Sequence, residues 1–100
     1  MHILYGYAEL FLPHCSSLKD KRKIINSIIT RIRKRFNISI SEVEYHNLWQ
    51  RSILGFCAVS HNMAEIKLFT ESIEDTLYNN SLNLETTSFV HDIISQHFLK

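Results

Sequence analysis

The sequence predicts an α+β sandwich of order βαββαβ, with a four-stranded antiparallel sheet in spatial order 4-1-3-2 and two helices on one face. Three observations predict it. Two stretches repeat apolar residues at helical spacing, four alternate apolar and polar residues with period two, and turn-forming residues separate them.

The first strand is read over His2 to Leu12, where Leu4, Gly6, Ala8, Leu10 and Leu12 share one side and Ile3, Tyr5, Tyr7, Glu9 and Phe11 the other. Small residues at Gly6 and Ala8 suit a closely packed helix layer, so the first side is assigned to the core. The aromatic side is then the open face. Pro13 stops the strand, and a short loop leads to Ser17.

Ser17 to Asn37 reads as one amphipathic helix, because Leu18, Ile25, Ile28, Ile29, Ile32 and Phe36 recur at intervals that keep them on one face. Ser17 is placed as N-cap, Asp20 in the capping-box position, and Asn37 as the left-handed residue that ends the helix. A second strand follows from Ile38 to Tyr45, with a bulge expected at Ser41-Glu42 because the apolar parity switches there. His46 to Arg51 is the connection. Ser52 to Ser60 is the third strand, with Leu54, Phe56 and Ala58 inward and Ile53, Cys57 and Val59 outward.

Asn62, with Glu65 three residues on, caps a second helix carrying Ile66, Phe69, Ile73 and Leu77 on its apolar side. Asn79-Asn80-Ser81 is a turn, and Leu84 to about His91 the fourth strand. The segment Asp92 to Lys100 either prolongs that strand or adds a helical turn. The order of elements is that of a ferredoxin-like domain, read as a single unit over residues 1–100. In that topology the start of the first helix, the hairpin between strands two and three, and the turn before strand four meet at one edge.

Net charge is only +1, which excludes a globally basic nucleic-acid protein. The positive charge is local. Eight of the eleven Lys and Arg residues, Lys19, Lys21, Arg22, Lys23, Arg31, Arg33, Lys34 and Arg35, lie in the first helix against Asp20 alone, and Glu65 to Glu85 supplies five acids against Lys67. Cations in the last helical turn complement the helix dipole; those in the first turn oppose it by about 0.3 to 1 kcal/mol each. Either an anion bound at the helix start favours them, or they extend into water or pair with carboxylates elsewhere in the chain.

The N-terminal stretch has no basic region and meets Glu9 and Pro13 too early for a signal or membrane segment, so a cytoplasmic protein is expected. Cys15 and Cys57 make no disulfide framework and no metal-ligand pair, and none of the six histidines has an i, i+4 partner. Neither metal nor cofactor is expected. Cys15, just before a helix start among cations, is the one candidate nucleophile, but no base or oxyanion site accompanies it. No catalytic set is assigned.

Ser17-Leu18-Lys19-Asp20-Lys21-Arg22, Arg33 through Glu42, Leu48-Trp49-Gln50-Arg51 and Leu54-Gly55 resemble the motifs of the bacterial YlxP-like family, a domain of unknown function. The likeness spans roughly the first sixty residues. It implies a ferredoxin-like fold and a small cytoplasmic protein encoded, in many genomes, beside translation initiation and ribosome-maturation factors. No established activity comes with it. Tyr5, Tyr7 and Phe11 stand where the family is more polar.

Two sites are therefore expected. The first is an anion- or RNA-binding edge made by Ser17, Lys19, Lys21, Arg22, Trp49, Gln50 and Arg51, docking on RNA, the ribosome or a translation factor. Within it Trp49 either stacks a base or, as is commoner, closes the core, and Arg51 holds a phosphate or pairs with Glu42 or Glu44. The second is a homo-oligomer face made by Tyr5, Tyr7, Phe11, Ile53, Cys57 and Val59, favoured over an RNA-recognition sheet because Phe56 points inward. The alternative function is a structural or regulatory oligomer that binds an acidic protein and no nucleic acid.

Overall fold

Strict alternation in the first strand decides the layering: Leu4, Ala8 and Leu10 are buried, while Tyr5, Tyr7 and Phe11 remain in water. The computed structural model describes residues 1–98 as β1 (His2–Phe11), α1 (Leu18–Arg35), β2 (Ser39–Glu44), β3 (Arg51–Ser60), α2 (Met63–Tyr78) and β4 (Glu85–Ser95). The sheet runs β2-β3-β1-β4 and every neighbouring pair is antiparallel. This is the ferredoxin-like 4-1-3-2 arrangement.

One core fills the space between sheet and helices. Ile25, Ile28 and Ile32 of α1 and Ile66, Phe69, Ile73 and Leu77 of α2 pack on Leu4, Ala8, Ile40, Leu54 and Phe56 of the strands. Phe36 and Phe69 meet edge to face at 5.2 Å and join the helices. Because α1 lies against β2 and α2 against β1 and β3, the sheet is wider than its helical cover. The strand left over is β4, which contains no buried residue.

Gly6 sits opposite His91, and a Cβ built on it would stand 2.3 Å from the Val90 carbonyl oxygen. Only glycine permits that approach of β4 to β1.

Two local expectations are corrected. Helix α1 ends on Phe36 in an extended conformation (φ −142°), not on a left-handed Asn37, because the Phe36 ring turns back to the core. The β2 irregularity falls between Glu42 and Glu44, one residue beyond the expected bulge; Val43 is the extra residue, its side chain lying over Gly55. The left-handed residue is Tyr45 (φ 65°), which turns the chain out of β2. β4 runs on to Ser95, so of the two alternatives for the stretch after His91 the chain takes continued strand up to that residue; Leu99 and Lys100 lie outside the described residues.

Candidate functional site

The start of α1 is built as its sequence requires. The Ser17 hydroxyl accepts from the Asp20 backbone N–H at 3.0 Å, and the Asp20 carboxylate reaches back to the backbone N–H and hydroxyl of Ser16. Those bonds from Ser16 hold the Asp20 carboxyl below its ordinary value.

Lys21 is not a surface cation. It is 1% exposed; its ammonium pairs with Glu42 at 2.9 Å and donates to the carbonyls of Tyr45 at 2.6 Å and Leu48 at 2.7 Å. Glu42 also accepts from the Ser52 hydroxyl at 2.6 Å. Three donors thus meet three acceptors, and the first turn of α1 is tied to the β2–β3 hairpin. The expectation that Lys21 contacts phosphate is corrected: its reward is a carboxylate and two carbonyls of its own chain.

The other cations are differently placed. Arg33 donates to the Ile40 carbonyl, and the Arg35 guanidinium lies 5.8 Å from the Phe36 ring centroid. Lys19, Arg22, Lys23, Arg31 and Lys34 are exposed, and among the described residues none has a carboxylate partner. Lys23, Arg31 and Lys34 flank an open groove floored by Asn26, Ser27 and Thr30 on the outer side of α1. The expected edge did not include this stripe, although the 23, 27, 30, 31, 34 spacing marks one helical side.

At the hairpin, Gln50 donates to the carbonyls of Pro13 and Cys15, and its own carbonyl accepts from the Leu12 N–H, so the loop before α1 and the hairpin are joined. Trp49 does not close the core: it is 52% exposed. Arg51 pairs with Glu9 across the β1–β3 ladder, not with Glu42 or Glu44, and its guanidinium lies 4.2 Å from the Tyr45 ring centroid. The bond to Glu9 raises the Arg51 pKa further. Phe11, Trp49 and Arg51 line a shallow depression there.

The outer sheet face gathers the second expected set. Register places Ile3, Val59 and Ile94 in one cross-strand row, Tyr5, Cys57 and Asp92 in the next, then Tyr7, Gly55 and Val90, then Glu9, Ile53 and Ser88, and last Phe11, Arg51 and Glu85. Val43, Val90 and Ile94 belong to this face as well, beyond the six residues expected there. Tyr5, Tyr7, Phe11, Val43, Val59, Val90 and Ile94 are each between 37% and 59% exposed.

Cys15 is buried, and desolvation pushes its thiol up despite nearby Lys21, which argues against a reactive thiolate. Among the described residues no three His, Cys, Asp or Glu side chains gather as a metal site. No helix among them is long and apolar enough to cross a membrane.

The stretch that builds β1, α1, the hairpin and most of β4 is also the stretch shared with known sequences: the profile of the family described as "Protein of unknown function (DUF503)" matches residues 3–90. The chain belongs to that family. This DUF503 domain is 39% identical to the "Uncharacterized protein YlxP" of Bacillus subtilis (strain 168) over 64 residues, 62% of the chain and 70% of the relative. Its fold is similar to the de novo designed protein Foldit4, with TM-score 0.60 and 9% identity over 97% of this chain and 100% of the other. It is also similar to SnoaB, a cofactor-independent oxygenase from Streptomyces nogalater, with TM-score 0.58 and 4% identity over 99% and 97% of the two chains. At such identities the likeness shows the fold alone.

Proposed function

We propose that this DUF503 domain is a non-enzymatic RNA-binding module of the cytoplasm that lays the cationic side of α1 on the phosphates of ribosomal or other folded RNA. The observation that carries it is the contrast within one helix: Lys21 is neutralised by the chain's own acid, whereas Lys19, Arg22, Lys23, Arg31 and Lys34 are exposed without one among the described residues. Exposed Trp49, on the hairpin that Lys21 ties to α1, offers a stacking surface worth roughly 1–3 kcal/mol per base. Phosphate contact requires a salt slope. Binding of a fluorescein-labelled ribosomal stem-loop, followed by anisotropy between low and moderate salt, should weaken steeply. Lys23→Ala/Arg31→Ala/Lys34→Ala should flatten the slope by about 2, at roughly 0.7–0.9 per lost phosphate contact. Salt-insensitive binding, or an unchanged slope in the triple variant, overturns the reading. Binding of polyglutamate but not RNA would instead favour an acidic protein partner.

A second reading concerns assembly, and the outer sheet face favours it. Its seven exposed apolar side chains lie in neighbouring cross-strand rows, the contiguous kind of patch that marks an interface. Glu9 and Arg51 neutralise one another and the Tyr5 hydroxyl donates to Asp92, so the apolar rows of the face suit a second copy about a two-fold axis. Light scattering should report a dimer that Tyr7→Asp/Val90→Asp dissolves; a wild-type monomer at high concentration overturns this reading.

A further inference from the structure

We infer that the groove between α2 and the uncovered inner side of β4 receives an extended, basic polypeptide segment of a partner, added to the sheet as a fifth strand. This goes beyond RNA binding and lies on the helical side of the sheet, away from the outer face. The cavity is about 1020 Å³ and open along one side. Leu77, Leu84 and Phe89 form its apolar floor, while Glu74 and Asp75 of α2 stand over it; His14 and His91 also line it, and no Lys or Arg does.

Three features select the occupant. The first is charge. Asp75 lies in the last turn of α2 with Glu74 beside it, where the helix dipole is already negative and no basic residue compensates. Among the described residues neither of these two carboxylates has an ion-pair partner. Phosphate is repelled here, and ammonium or guanidinium groups are attracted. The second is size: the volume sits at the top of the range of roughly 300–1,000 Å³ for small-molecule sites and is not enclosed, which suits a chain segment better than a small cation.

The third feature is backbone. β4 ends the sheet order, so one side of its ladder has no strand beside it. The Thr87 bulge confines irregularity to its beginning, where Glu9 pairs with Ser88 and Leu10 with Thr86. The stretch from Ser88 to Ser95 keeps regular register with β1. An added strand pairing there would send alternate side chains toward Phe89 and the carboxylates, the arrangement in which main-chain bonds give affinity and pockets give specificity.

The test uses the full chain and an end-capped, fluorescein-labelled hexapeptide of alternating Lys and Leu. Binding is expected in anisotropy, with amide shifts in residues 74–78 and 85–91, and with at least a tenfold loss in Glu74→Gln/Asp75→Asn, whose unchanged thermal midpoint shows that it folds. A Lys/Leu peptide N-methylated at alternate backbone positions should lose binding likewise. Equal binding of a Glu/Leu hexapeptide, undiminished binding of the N-methylated peptide, complete displacement by millimolar cadaverine, or shifts confined to Tyr5, Tyr7 and their neighbours would each overturn it. RNA binding retained by the double variant separates this site from the α1 surface.

Discussion

Lys21 and Glu42 meet at 2.9 Å between the first turn of α1 and the inward side of β2, both largely withdrawn from water. A buried pair of this kind contributes less than its Coulomb attraction suggests, because both charges are desolvated, but breaking it strands the survivor. Lys21→Met should lower the unfolding free energy by about 3–5 kcal/mol. Lys21→Met/Glu42→Leu should recover a substantial part of that loss. Urea unfolding midpoints of the two variants check both statements, and equal losses in single and double variants would contradict them.

Asp20 ties the pH dependence to the helix cap. Its carboxyl is depressed mainly by the backbone bond from Ser16, so its stabilising contribution is fully present above the ordinary value of 3.8 and is lost as pH falls through the lower folded value. Asp20→Asn should therefore be less stable than the wild type at neutral pH, with the gap closing only below pH 3.8. Thermal midpoints of the two proteins from pH 7 downwards provide the comparison.

Gly6→Ala should push β4 off β1, since the added carbon would sit 2.3 Å from the Val90 carbonyl oxygen and 2.8 Å from the His91 Cα, both backbone atoms. Overpacking of this sort costs about 1–3 kcal/mol. Hydrogen exchange should localise the damage, with amides of β1 and β4 losing protection before those of β2 and β3.

The two thiols should separate cleanly. Buried Cys15, its thiol pushed up by desolvation, should react with iodoacetamide only on unfolding, whereas exposed Cys57 should react in the native protein. If the outer face is shared between copies, labelling of Cys57 slows as protein concentration rises. Mass spectrometry of labelled peptides reads both.

Much of this was legible before coordinates. Period two in β1 and β3 and the helical spacing in α1 and α2 follow from burial of one side of each element, and the sheet order follows from the βαββαβ sequence. Lys21 was misassigned because lysine is taken by type for a surface residue. Its position speaks otherwise: 21, 25, 28 and 32 form one stripe, and Glu42 shares inward parity with Ile40, so a cation and an anion were each written on a buried side. Trp49 and Arg51 were harder, since a hairpin loop has no periodicity and partners such as Glu9 come from strands distant in the chain. The α2–β4 groove arises from the mismatch between four strands and two helices, which no local pattern encodes.

Every second side chain of β1 serves a different master, the interior through Leu4, Ala8 and Leu10 and the exterior through Tyr5, Tyr7 and Phe11. Losing a single residue near its middle would exchange those roles over half the strand, drowning leucines and entombing tyrosines together. A substitution therefore repaints one surface at a time, whereas a deletion in this central strand disturbs both at once.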